Sequence, residues 1–319
     1  MRSAPNRFQA SPRWLVGAVA FAVSATLAAP TWSAEPGTAG FLSLRMGAGA
    51  RYSAMGDVGV SLARDATAAY WNPASLNGVE TTSLALQHNE WISSVRVESF
   101  SLAHATDLGV FGLHFSGLYM DEIERRTNAS TIPEGHFNVY EIAVQGAWGH
   151  RLFASERLGI IDFGVGVKGL YSGLDDETAS GWAVDVGGRL RTRIEGLTFA
   201  AAGQHLGPDV TFIQESFKLP ASMRVGADYS RPVPAWKGDF TLAYDLEIVN
   251  DDALRNHVGG ELGYHDLVSL RVGYKGGFDT QGATFGVGVR RAGYRFDYSF
   301  ADVSADLGDG HRFSLGIDL

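Results

Sequence analysis

The sequence predicts an all-β protein, a fourteen-stranded antiparallel transmembrane β-barrel carrying a short N-terminal plug, or hatch, in its lumen. Three observations predict it: an export leader, period-two alternation through most of the chain after residue 80, and a parity in the lengths of the connections.

The leader comes first. Arg2, Arg7 and Arg13 form a basic region, Trp14 to Ala29 is apolar and rich in Ala and Val, and Ser33 and Ala34 offer a cleavage site. The apolar run falls short of the roughly twenty residues of a membrane-spanning helix, so residues 1–34 read as a cleaved signal peptide. Trp32 is an unusual neighbour for cleavage after Ala34, which leaves cuts after Ser33 or near Ala28 open. No later segment has the hydropathy of a membrane helix.

Composition narrows the class. The chain has no cysteine, which removes disulfides, thiolate metal sites and a lipidated N-terminus together. The formal net charge is −9, and losing a leader with arginines and no acid makes the remainder more acidic, giving it no electrostatic reason to bind nucleic acid. Forty glycines, 11% aromatics and 19% charged residues suit short strands joined by tight turns.

The alternation predicts strands at 81–89, 94–104, 107–119, 138–149, 157–171, 179–191, 196–206, 220–231, 236–249, 255–264, 266–275, 281–291, 293–302 and 310–319. The even number is what a single-chain bacterial barrel requires, and residues 81–319 form that domain. The long polar connections 120–137, 172–178, 207–219 and 303–309 all join an odd strand to the next even one. The tight turns at 105–106, His265-Asp266 and Ala292-Gly293 have the opposite parity. Long outer loops with short periplasmic turns produce that pattern, with both termini in the periplasm and the barrel in the outer membrane. Tyr119, Trp148, Tyr171, Trp182, Tyr229, Tyr264, Tyr274 and Tyr294 lie near strand ends on the apolar face, as an interfacial girdle does. Opposite that face lie the lumen candidates, among them Asp185, Arg189, Arg224, Asp245, Glu261, Arg271, Arg290 and Arg295.

Residues 35–80 form the hatch segment. The Gly- and Ala-crowded stretch Phe41 to Gly56 suits tight packing inside a lumen. Asp65 is placed to cap a short helix through Ala69, which the residue before Pro73 must end. Arg51 is a candidate anchor, with Asp185, Asp245 and Glu261 as alternative partners.

The run GTAGFLSLRMGAGARYSAMGDVGVSLARDATAAYWNPASL resembles the N-terminus of the PorV/PorQ family, barrels related to the FadL-type fatty-acid transporters. The run from His257 to Leu319 is similar to that family's closing strands. The resemblance implies a hatch that includes the Asn72-Pro73-Ala74 turn. It also implies a docking or adaptor role linked to type IX-like protein secretion, with secretion-machinery or exported-protein partners. Outer-membrane lipids would surround such a barrel. The alternative is a FadL-like channel for small hydrophobic molecules, which takes a hydrophobic ligand. The outer loops are shorter than those of PorV members, which weighs against a docking surface.

Other motifs carry less. Gly164-Val-Gly-Val-Lys-Gly169 spells a nucleotide fingerprint, but inside an alternating strand with no helix after it. The histidines are scattered without metal-ligand spacing. No Ser, His and acid constellation demands catalysis, so the chain reads as a non-enzyme without cofactor. Asp175-Asp-Glu177 and Asp251-Asp252 read as solvated loop charge.

Overall fold

The computed structural model describes residues 39–129, 131–251, 254–303 and 308–319. The signal peptide expected at 1–34 lies outside the described residues. Fourteen antiparallel strands close a barrel. They are β1 (Thr82–Glu90), β2 (Arg96–Thr106), β3 (Gly109–Arg125), β4 (Gly135–Ser155), β5 (Gly159–Leu174), β6 (Glu177–Thr192), β7 (Leu197–Leu206), β10 (Ser222–Val233), β11 (Gly238–Val249), β12 (Arg255–Tyr264), β13 (Val268–Gly276), β14 (Gln281–Arg291), β15 (Tyr294–Val303) and β16 (Gly308–Asp318). The short strands β8 (Val210–Phe212) and β9 (Glu215–Phe217) make a hairpin within the connection from β7 to β10. The closing seam pairs β1 with β16, from Ser83 opposite Asp318 to Glu90 opposite His311.

The barrel is inside out relative to a soluble core. Leu86, Val167, Trp182, Leu242, Leu270 and Phe296 are exposed on the outer wall, whereas Lys168, Asp185, Asp245, His257 and Asp297 are buried inside. Only a wall that meets hydrocarbon on the outside makes that arrangement favourable. Tyr171, Trp182, Tyr264, Tyr274 and Tyr294 are exposed toward the strand ends, while Tyr119, Trp148 and Tyr229 are half-buried.

The number of strands matches the expectation, but the connections differ. β3 to β6 run 17, 21, 16 and 16 residues, beyond the roughly ten that cross a bilayer. Their excess consumes the expected loops. The 120–137 connection shrinks to 126–134, and 172–178 becomes the turn Asp175-Asp176, where Arg125 of β3 pairs with Asp175. The connection 207–221 remains long and folds inward: Val210 and Leu219 are buried with Phe41, Leu44 and Leu170. At the opposite mouth the turns stay tight. His265-Asp266 and Ala292-Gly293 take the paired positive φ angles (54° and 52°, 51° and 83°) that match the twist of a hairpin.

Thr82 and Leu319 share the short-turn mouth. The leading end of the hatch does not. Ala39 bridges Lys218 and donates its amide to Asp251 at 3.1 Å, in two connections of the long-loop mouth. The hatch therefore threads the lumen from one mouth to the other before β1 begins, so the first described residue sits opposite the C-terminus.

Candidate functional site: the hatch and the wall around it

The hatch folds as four short turns of helix, at Leu42–Arg45, Ala50–Ala54, Ala68–Trp71 and Pro73–Gly78. None could stand alone in water, because helices this short do not repay their nucleation. The lumen supplies what they lack. Ala54, Ala63, Ala66, Ala68, Ala69 and Ala74 are fully buried, and so is Trp71, the largest side chain of the interior. Trp71 donates to Ala48 O at 2.8 Å and packs edge-on against Tyr70. The free carbonyls at the end of Ala68–Trp71 are taken by the wall. Gln145 donates to Ala69 O (2.8 Å), and Gln204 to Tyr70 O (2.7 Å) and Trp71 O (3.2 Å). Neither glutamine stands out in the sequence; the only signal was an amide on an inward-facing position.

Asp65 does not act as the side-chain cap expected of it. The helix starts at Ala68, and Asp65 turns its carboxylate to the Thr67 amide (3.0 Å), the Tyr52 hydroxyl (3.1 Å) and Arg295. Asn72 is extended (φ −166°, ψ 109°), which ends the helix before Pro73 and opens the next turn. Its Oδ1 accepts from Ala74 N at 3.0 Å, and its Nδ2 donates to Val60 O at 3.0 Å and to Gly188 O at 3.3 Å. Pro73 and Ala74 rest directly on Gly164, where an added Cβ would strike their backbone. This accounts for one glycine of the nucleotide-like motif: it is a seat for the hatch.

Charge fastens the rest. Between Phe41 and Val79 the hatch holds Arg45, Arg51, Asp57, Arg64 and Asp65, and each meets a wall group of opposite sign. Arg45 pairs with Asp251, Arg64 with Asp228 (2.6 Å), and Asp57 with Lys275 and Arg312. Arg51 grips Glu261 with two bonds of 2.9 and 2.7 Å. The other partners considered for it are engaged elsewhere. Asp185 holds Lys168 (2.8 Å), and Asp245 accepts the amides of Gly59 (2.8 Å) and Val60 (3.0 Å). Arg224 pairs with Glu247 and lies over the Trp71 ring; Arg271 links Glu261 to Asp297. Asp251, read as solvated loop charge, is buried at 2% exposure because the hatch covers it. Arg290, expected among the lumen charges, lines an inner recess at the short-turn mouth with Arg51 and Arg295 and is exposed there, near the end of β14.

Burial would raise the Asp57 carboxyl, but Lys275 and Arg312 outweigh it and hold the group well below the usual carboxylate range. At Asp65 burial is likewise outweighed, by Arg295 and the Thr67 hydroxyl, and the carboxyl is lowered.

Two recesses lie back to back at the seam. Outside, Leu86, Phe100, Phe115, Phe296, Phe313 and Leu315 line an apolar hollow of about 410 Å³. Inside, beside Tyr52 and Asp65 of the hatch, a recess of about 10 Å³ is bounded by the same Leu86, Gln87, Ser99, Ser314 and Leu315. That space scarcely admits one water, and backbone pairing across β16, β1 and β2 is unbroken, so the wall is shut at rest.

Residues 15–183 match the profile of the Uncharacterised protein family (UPF0164). The chain belongs to that family. No curated protein matches this UPF0164 sequence. Solved structures do match its fold. The toluene transporter TodX of P. putida superposes with a TM-score of 0.61 at 12% identity, covering 86% of this chain and 99% of that one. The monoaromatic hydrocarbon channel CymD gives 0.57 at 11%, covering 85% and 96%. The toluene transporter TbuX of Ralstonia pickettii gives 0.53 at 11%, covering 85% and 97%. The fold is thus that of FadL-like outer-membrane barrels. The comparisons support the fold that the resemblance implies; its PorV/PorQ part rests on the sequence runs alone.

Proposed function

We propose that this chain is a plugged, FadL-like channel of the outer membrane that passes small apolar molecules sideways through the barrel wall while the hatch stays seated. The observation that carries the reading is the pair of recesses at the β16–β1–β2 seam. An apolar hollow facing lipid and a space beside the hatch share Leu86, Gln87, Ser99, Ser314 and Leu315 in their linings. The hatch fills the lumen, so an axial route would require extracting Trp71 and breaking five sets of charge contacts, whereas local parting of the seam leaves them intact. The fold shared with TodX and CymD favours a substrate of monoaromatic size, and no comparison favours a docking role in protein secretion. In this arrangement the short-turn mouth faces the periplasm, outer-membrane lipids cover the apolar wall, and no bond-making chemistry is required of the protein.

The test is uptake of labelled toluene by Gram-negative cells that lack related channels, with and without this protein. Protein-dependent, saturable uptake is expected. Uptake equal to that of empty cells would reject the reading.

A further inference from the structure

A second site lies away from the seam. At the short-turn mouth a cavity of about 630 Å³ opens between the end of the hatch, at Asn77 to Glu80, and the wall of β3, β4, β6 and β7. Its size falls in the range of small-ligand pockets. Arg64, Arg151, Arg189 and Arg191 line it, and three of the four have carboxylate partners. Arg64 pairs with Asp228 at 2.6 Å; Arg191 grips Asp162 with two 3.1 Å bonds, and Arg151 approaches the same Asp162 at 3.8 Å.

Arg189 is different. It is only 3% exposed, yet it has no salt bridge among the described residues. Among those residues its one hydrogen bond is a marginal 3.5 Å contact to Ser75 O, and its Nε has no partner. Burying a guanidinium with most of its donors unused is costly, and an arginine in that position ordinarily answers an acceptor. Asp162 and Asp228 lie on the neighbouring wall but are turned to Arg191 and Arg64. The guanidinium lies against Gly78, where an added Cβ would come within 3.2 Å of its Nη1 and 3.0 Å of the Arg64 Cβ, so the missing side chain leaves room for both arginines.

We infer that Arg189 is the recognition group of a binding site for a small organic monocarboxylate, held in this cavity against the hatch. The planar fork matches a carboxylate with two parallel bonds. The flanking Asp162 and Asp228, with Glu80 and Asp107 in the lining, moderate the field and disfavour a polyanion. Val79 and Val110, both nearly buried, with Ile194 and Leu197, supply an apolar wall for the body of the ligand, which a bare phosphate would not use. The site stands independently of the seam, because binding here requires no transport.

The experiment is calorimetric titration of the full-length mature protein in detergent with benzoate and, separately, inorganic phosphate. Wild type, Arg189→Gln and Arg189→Lys are compared, with heat-modifiable gel migration reporting the fold. Benzoate should bind wild type, and Arg189→Gln should weaken it roughly ten- to a hundredfold, with Arg189→Lys between them. If Arg189→Gln fails to fold, Arg189→Lys, which keeps the charge but not the planar fork, should weaken benzoate in the same direction. Phosphate binding in place of benzoate, no binding of either, or unchanged benzoate affinity in the variants would each overturn the inference. Loss of stability in Arg189→Gln without any ligand binding would also overturn it, since Arg189 would then be closing on Asp228 as a structural ion pair.

Discussion

Arg51 of the hatch and Glu261 of β12, 210 positions apart in the chain, share two hydrogen bonds of 2.9 and 2.7 Å inside the barrel. Glu261 is also held by Arg271, which reaches on to Asp297, so the hatch arginine completes a chain of alternating charge already built into the wall. Removing Arg51 leaves a buried carboxylate half-compensated. Arg51→Ala should cost roughly 2–3 kcal/mol of hatch seating, less than for a fully isolated pair because Arg271 remains. Single-channel recording should show raised or flickering conductance against a closed wild type. Unchanged conductance would mean that the pair does not anchor the hatch.

The response to acid follows from Asp57 and Asp65, whose carboxyls are both held below their ordinary range by wall cations. A carboxylate depressed in the folded state contributes stability that is complete above its unfolded value, about 3.9, and is lost as the pH falls through the folded value. The contribution of these two carboxylates to hatch seating should therefore be level between about pH 8 and pH 5 and be lost only below about pH 4. Protease accessibility of the hatch across that range checks this. In Asp57→Asn, which leaves Lys275 without its counter-ion, the hatch should be accessible already at neutral pH.

The turn at Asn72 is a steric as well as a polar lock. Asn72→Ala removes the bond to Ala74 N and leaves Val60 O without its amide donor, a loss of about 1–3 kcal/mol. Gly187→Ala attacks the same point from the wall, since its Cβ would fall on Asn72 Oδ1. Such overpacking costs roughly 1–3 kcal/mol. Both variants should lower the thermal midpoint of the hatch without changing the barrel's gel mobility, and the double variant should lose less than the sum.

Much of this was legible in the sequence because a barrel writes its two faces in alternate residues. Glu141, Asp162, Lys168 and Asp297 could be placed inward from period two alone. Connection lengths were less legible: whether residues such as Glu124 or Thr178 extend a strand above the membrane or form a loop depends on pairing with a neighbour, which alternation does not encode. The hatch shows the limit most sharply. Its small residues announced close packing, but which wall charge each hatch charge meets is set by a path through three dimensions. Glu261 could be named only as one of three alternatives for Arg51, and Asp251 looked like loop charge until the hatch lay over it. The recesses at the seam and the cavity at Arg189 left no local pattern, since each draws on strands from distant parts of the chain.

Because the chain has no cysteine, engineered pairs report without interference. An ideal Cβ on Gly112 lies 3.0 Å from the Ala69 Cβ, close to the roughly 3.5–4.5 Å of a disulfide. Ala69→Cys with Gly112→Cys should oxidise in the folded protein and tie the hatch to β3. Toluene uptake should survive this tether, since the hatch need not leave its seat. Failure of the disulfide to form would place the hatch elsewhere.

The most direct measurement locks the seam itself. Leu86 of β1 and Leu315 of β16 are register partners on the outer wall and border both recesses. With both replaced by cysteine, toluene uptake is compared in oxidised and reduced cells. Lateral passage predicts uptake lost on oxidation and restored by reductant; uptake unaffected by the locked seam would contradict it.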